Sequence, residues 1–214
     1  MPSAGSCSGA LPAGLSLVPI AAEHAATVVR WRMDPRNRPL FLTADAITVT
    51  SQLAWTVRAS ADVTDLTCVA LLAGGPVGMV ALYRVERGEA EYGRVLVDAR
   101  HRRRGIGGAV SGIIIAHGFA RLGLRCIHAD CLAGNDPGQR LLASLGFARC
   151  GVWRREPSGP EVVRLGLDRR AWARAAMGTP YERHLDQVLA RTVTTKCAPW
   201  APAQAGAAAS TMET

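Results

Sequence analysis

The spacing of apolar positions divides the chain into short strand-like runs and amphipathic stretches that alternate from Leu15 to Asp168. Leu15–Val18 reads as a strand. Ala21–Trp31 has helical spacing that would turn Ala22, Ala25, Val28 and Val29 inward, and Asp34-Pro35 ends it. Thr50–Ala59 predicts a second helix with Thr50 or Ser51 as its N-cap. Leu66–Leu72 and Val77–Val85 predict a hairpin around Gly74-Gly75-Pro76, and Ala90–Val97 a third strand. Ile106–Leu122 is the longest apolar helix. Val110, Ile113, Ile114 and His117 share one of its faces and Ile115 and Phe119 widen it, so burial against a sheet is expected. Strand Cys126–Leu132, helix Pro137–Leu145 and a closing pair of strands, Ala148–Arg155 and Val162–Asp168, follow, with two added helices at Asp168–Met177 and Tyr181–Val193. This order predicts an α/β (α+β) domain with a mixed, mostly antiparallel central sheet flanked by helices. The domain would span residues 15–168 and the added helices 169–196. Residues 1–14 are small and turn-forming and 197–214 are nearly uncharged, so both are expected to be disordered.

Chemistry concentrates where the third strand meets the long helix, in Val95–Gly108, VLVDARHRRRGIGG. Gly105, Gly107 and Gly108 let backbone N–H groups approach a ligand, and the helix turns its positive end to the same place. Arg102, Arg103 and Arg104 ring that nest, and guanidinium groups fork onto several phosphate oxygens at once, so a diphosphate fits better than a carboxylate. A Walker A loop requires Lys-Ser/Thr after its last glycine, whereas Ala109-Val110 stand here. The dinucleotide fingerprint requires other glycine offsets and has no arginine prelude.

The pattern Arg102-x-x-Gly105-x-Gly107 resembles the pyrophosphate loop of the GNAT superfamily of acyl-CoA N-acyltransferases, Gln/Arg-x-x-Gly-x-Gly/Ala. Asn135–Phe147, NDPGQRLLASLGF, resembles that family's second signature, Asn-x-x-Ala-x-x-Leu-Tyr-x-x-x-Gly-Phe, at Asn135, Leu141, Gly146 and Phe147. Two positions depart. Gly138 replaces the Ala, which should cost only helix propensity, and Leu142 replaces the Tyr that in many members protonates the departing thiolate.

The resemblance implies acetyl-CoA as acyl donor and no metal. It places backbone amides of Arg102, Arg103, Arg104, Gly105, Ile106, Gly107 and Gly108 on the diphosphate, and Val95 and Val97 along the pantetheine. A backbone N–H near Leu96 or Val97 would meet the oxyanion. Asn135 would stand beside pantetheine or a catalytic water, with a helix N-cap as its equally weighted structural role. The acceptor amine must lose a proton. For an alkyl amine near pKa 10 this costs ~4 kcal/mol at neutrality, and for an α-amine near 8 only ~1.4 kcal/mol. Glu91, on the strand leading into the loop, is the leading catalytic base and Glu89 the second. Tyr92 or Ser144 are substitutes for the missing acid, or none is needed for a thiol of pKa ~8.5. Trp31, Arg32 and Trp55 are the acceptor-side candidates. Around WRMDPRNRPLF the chain resembles the branch with ribosomal-protein N-terminal acetyltransferases and amino-sugar N-acetyltransferases.

Composition narrows the partners. The net charge is +8 and Lys196 is the single lysine, so the positive charge is almost wholly arginine, suited to an anionic ligand. Scattered basic residues and an aromatic content of 5% argue against nucleic acid. The six cysteines form no Cys-x-x-Cys pair, and His24, His117 and His128 have no metal or triad spacing. No signal peptide or membrane span is read, so a reducing cytoplasm is expected. The expected function is acetyl transfer to the primary amine of a small molecule, an amino sugar or a specialised-metabolite or antibiotic amine. The alternatives are a protein N-terminal acetyltransferase and a degenerate acyl-CoA-binding sensor or scaffold. A homodimer through the closing strands or added helices is a further expectation.

Overall fold

The computed structural model describes residues 11–43 and 45–189. Seven strands, β1 (Leu15–Pro19), β2 (Leu66–Leu72), β3 (Gly75–Glu86), β4 (Glu89–Val97), β5 (Cys126–Leu132), β6 (Ala148–Arg154) and β7 (Glu161–Asp168), form one sheet in the order β1-β2-β3-β4-β5-β7-β6. Every neighbouring pair is antiparallel except β4 with β5. The helices are α1 (Ala25–Met33), α2 (Val49–Ala61), α3 (Ile106–Ala120), α4 (Asp136–Ser144), α5 (Arg169–Ala175) and α6 (Leu185–Val188).

Alternation along the strands sends side chains to two cores. Leu17, Leu66, Val80, Leu82 and Ile127 face α3 on one side of the sheet, while Val69, Met79 and Leu96 meet Val28 and Trp31 of α1 on the other. The first helix begins later than its periodicity suggests. Ala22–His24 is a 3₁₀ turn in which His24 Nδ1 accepts from the Ala21 N–H, Ala22 is exposed and Val29 only half-buried. The N-cap of α2 is Thr48, not Thr50 or Ser51, because the Thr48 and Ser51 hydroxyls exchange hydrogen bonds with each other's backbone N–H. The hairpin turns at Ala73-Gly74, with φ of 49° and 82°, so Gly75 and Pro76 already belong to β3.

Helix α3 is not one-faced. It is buried all round from Ala109 to Phe119, because the segment after β7 covers the side that the sheet leaves open. Trp172 of α5 stacks on Phe119 and on Tyr181, and Tyr181 lies against Gly112, where a Cβ would meet the phenol ring at 2.3 Å. Leu185, Val188 and Leu189 are buried in the same core, and Leu189 forms a parallel bridge to Leu17 of β1. The added C-terminal helices are therefore part of the domain core as far as Leu189. Residues 11–14, expected to lie outside the domain, lead into β1 with Leu11 packed on that core. The expectations for residues 1–10 and 190–214 lie outside the described residues.

Candidate active-site cleft

Strands β4 and β5 pair only from Glu89–Tyr92 against Cys126–Ala129. Past that point β5 pairs with β7 alone. The separation coincides with a bulge in β4, where Arg94 and Val95 stand opposite the single residue Val80 and Arg94 has φ of 53°. A bulge bends its strand and increases the local twist, which draws the end of β4 away from its neighbour. A cleft of about 1350 Å³ opens there, with Val95, Leu96 and Val97 on one wall and Asp130, Cys131 and Asn135 on the other.

The predicted anion loop forms one mouth of the cleft. Arg102, Arg103, Arg104, Gly105, Ile106, Gly107 and Gly108 all line it. Gly105 is the left-handed N-cap of α3, with φ of 76° and no side-chain cap, so the first N–H groups of the helix keep no acceptor of their own. A Cβ at Gly105 or Gly108 would meet nothing within 4 Å, which leaves the approach to these amides open. Among the described residues no carboxylate pairs with Arg102, Arg103, Arg104 or Arg140, the last contributed by α4. Beneath the loop the Tyr92 hydroxyl donates to Ser111 Oγ, which donates to the Gly107 carbonyl at 2.6 Å. Burial pushes the Tyr92 hydroxyl far above its ordinary pKa.

The connection between α1 and α2 roofs the opening. Asn37 Oδ1 accepts from Arg102 while its Nδ2 donates to the Trp31 carbonyl at 2.7 Å. Asn135 Nδ2 donates to the Leu40 carbonyl at 3.2 Å, and its Oδ1 caps α4 by accepting from the Gly138 N–H at 2.9 Å. The capping role of Asn135 is thus realised on the cleft wall. Gly138 is more than a weak helix former, since a Cβ there would come within 2.8 Å of the Asn135 carboxamide that closes the cap.

On the α1–α2 side the walls are Arg32, Phe41, Thr43, Trp55, Tyr83 and Arg94. The Arg32 guanidinium lies over the Phe41 ring at 5.0 Å and donates to the Thr43 carbonyl at 3.1 Å; desolvation lowers its pKa, partly opposed by Asp45. Arg94 stacks on Tyr83 and Trp55, at 4.2 and 5.0 Å from their ring centroids, and pairs with the buried Asp65 at 2.6 Å.

Two predicted residues stand apart. Trp31 does not line the cleft: it is buried beneath it and its Nε1 donates to Asp98 at 2.9 Å. Hydrogen bonds from the Arg100 side chain, then its backbone N–H and Trp31, hold the Asp98 carboxyl well below the usual carboxylate range against the opposing effect of burial. Asp98 also caps the turn that starts the anion loop. Glu91 is likewise outside the lining, paired with Arg84 at 2.6 Å. It adjoins the cleft-lining Tyr83, its partner across the β3–β4 ladder. Burial first, and then the charge of Glu91, push the Tyr83 pKa up to about 12. The only carboxylate lining the cleft among the described residues is Asp130, and both its oxygens accept from Arg164 at 2.8 and 2.7 Å. Tyr83, Arg94, Asn37, Asp98 and Arg140 were not legible as site residues. Tyr83 becomes so once register is known, because it faces Glu91 across the β3–β4 ladder.

Among the described residues no group of three or more His, Cys, Asp or Glu is placed to hold a metal ion, and no helix is long and apolar enough to cross a membrane.

Comparison with known proteins places this architecture. An uncharacterized N-acetyltransferase of Bacillus subtilis (strain 168), YoaA, is 35% identical over 80 residues, which are 37% of this chain and 44% of that one. The fold is shared with spermidine N-acetyltransferase from Vibrio cholerae in complex with CoA and spermine, at a TM-score of 0.67 and 14% identity over 74% of this chain and 98% of that one. Mycobacterium smegmatis RimJ in complex with CoA-disulfide superposes at 0.67 with 23% identity, covering 79% and 91%. Aminoglycoside acetyltransferase AAC(6')-Ib in complex with coenzyme A and kanamycin does so at 0.61 with 18% identity, covering 75% and 98%. Residues 27–147, more than half of the chain, match the acetyltransferase (GNAT) family. With its glycine-rich loop at the start of α3 and its sheet parted between β4 and β5, the chain belongs to the acetyltransferase (GNAT) family.

Proposed function

We propose that the protein is an acetyl-CoA-dependent N-acetyltransferase acting on the primary amine of a small molecule. One observation carries this reading. A single cleft runs from uncapped amides and arginines at the start of α3, past the freed edge of β4, to an aromatic chamber under α1 and α2. The first part suits a diphosphate, the second an extended amide chain and the third an acceptor.

The donor fits the residues present. Amides of Ile106, Gly107 and Gly108, with Arg102, Arg103, Arg104 and Arg140, would hold the phosphates. Past Tyr92, the edge of β4 facing β5 has no ladder partner, so the backbone of Val95, Leu96 and Val97 would pair with pantetheine. When bound, acetyl-CoA supplies an acyl group already activated as a thioester.

The remaining work belongs to the chain. Glu91 is the proton acceptor, reached through its cross-strand neighbour Tyr83: the phenol oxygen would take the amine's proton as its own hydrogen passes to Glu91. With its pKa pushed up to about 12, Tyr83 stays neutral at physiological pH and can relay a proton. On the thiol side Leu142 is buried and carries no proton, and Ser144 turns its hydroxyl to the Leu141 carbonyl at 2.7 Å. Tyr92 lines the cleft but already donates its hydroxyl to Ser111 Oγ, and a thiol of pKa ~8.5 can leave unaided. Cytoplasm is the compartment in which we expect this activity.

Calorimetric titration with acetyl-CoA, followed by a thiol-release screen of small amines and peptides, tests the proposal. Binding on the order of micromolar should be lost in Gly105→Glu, whose side chain must enter the anion site at positive φ, with circular dichroism confirming the fold. Glu91→Gln and Tyr83→Phe should keep acetyl-CoA binding and lose roughly 10²-fold or more in turnover. No binding by the intact protein would overturn the donor assignment, and release with peptides alone would name a protein N-terminus as acceptor.

A further inference from the structure

The acceptor chamber is charged in an unusual direction for an amine site. An amine is a cation in water, and polyamines carry several charges, so a site for them requires carboxylates on its walls. Here the one carboxylate lining the cleft among the described residues, Asp130, gives both oxygens to Arg164. Of the two arginines in the chamber, Arg94 is already neutralised by Asp65. Arg32 differs. It is half-buried, no carboxylate of the described residues lies within ion-pair distance, the exposed Asp45 acts on its charge only from further off, and its hydrogen bond goes to the neutral Thr43 carbonyl. The Phe41 ring lies against one face of the guanidinium, which fixes its plane and leaves N–H groups for a ligand.

Withdrawing a cation part-way from water with no carboxylate in contact is costly, and a fold that does so beside a ligand cleft stabilises an anion there. The donor's own phosphates do not account for it. They belong with the arginines at the start of α3, whereas Arg32 stands with Phe41 on the opposite face of the sheet, where Phe41 packs on the core formed by Val28, Trp31 and Met79. Resting on the N-acetyltransferase assignment, we infer that the acceptor is an amine that also bears a carboxylate or phosphate, and that Arg32 of α1 holds this anionic group while Phe41 and Trp55 wall its body. A polycationic amine is the wrong substrate for this chamber.

Matched pairs of amines test the inference, with binding and turnover read separately on the full chain. Glucosamine 6-phosphate against glucosamine probes a phosphate, and leucine against leucinamide a carboxylate, with spermidine as the polycation. Each is titrated calorimetrically into protein saturated with CoA and then assayed with acetyl-CoA. At least one anionic member should bind about tenfold or more tightly than its neutral partner. Arg32→Gln should abolish that preference and raise KM far more than it lowers kcat, and Arg32→Lys should restore part of it. Retained CoA binding by Arg32→Gln would show that the variant is folded. Preference for spermidine, absence of an anionic preference in both series, or a preference that survives Arg32→Gln would overturn the inference. Anionic binding without turnover would leave the Arg32 site standing while the enzymatic assignment fell, so the two are distinguishable.

Discussion

His117 is the residue whose surroundings most directly dictate a measurable property. It lies in α3 with no exposed surface, both ring nitrogens lack a partner, and desolvation, then the charge of Arg121, bring its pKa down from 6.5 to about 4. Between pH 6.5 and 4 the unfolded chain therefore binds a proton at this position that the folded chain refuses. Stability from this group is complete above pH 6.5 and is lost as pH falls through the window, by about 3 kcal/mol in all. Denaturant titrations at pH 7 and pH 4.5 should show this loss, and His117→Leu should remove most of it while retaining a side chain of similar bulk. An unchanged pH slope in the variant would place the titration elsewhere. The residue was legible only as a member of an apolar helical face. Its helix-mates predict burial, but nothing in sequence spacing reveals that no acceptor waits beside the ring.

At the scale of elements, α4 shows how one side chain joins two parts of the molecule. Asn135 closes the helix through Gly138 and ties it to the roof at Leu40, so the cap and the cleft share a residue. Asn135→Ala should cost about 1 to 2 kcal/mol of stability, and Asn135→Asp, which keeps the capping oxygen, should recover most of that in urea denaturation. Equal losses in the two variants would assign the stability to the Leu40 bond instead. The motif containing Asn135 and the strand before it were readable because a cap, a helical run and a terminal glycine are local signals. The parting of β4 from β5 was not. It depends on a bulge in which Arg94 adopts φ of 53°, and on β7 inserting beside β5, and neither leaves a local trace.

Over the whole molecule, the segment after β7 acts as the outer wall of the core. Gly112 is the point of closest approach, and Gly112→Ala would drive a methyl group into the Tyr181 ring. The gain of about 1 kcal/mol in helix propensity should be outweighed by a packing loss of about 1 to 3 kcal/mol, lowering the denaturation midpoint. A midpoint that rises would mean that Tyr181 yields without cost and the segment is only loosely applied. Local chemistry in the sequence determined the order of strands and helices, the glycine-rich turn at Gly105 and the arginine charge around it, since each follows from neighbours within a few residues. Tertiary structure alone decided that α3 is covered on every side, that Trp31 serves Asp98 under the cleft, that Glu91 lies outside the cleft beside Tyr83, and that Arg32 has no carboxylate in direct contact. Those outcomes depend on which residues distant in sequence meet, and on how far each is withdrawn from water, and both are set only when the sheet closes on its two layers of helices.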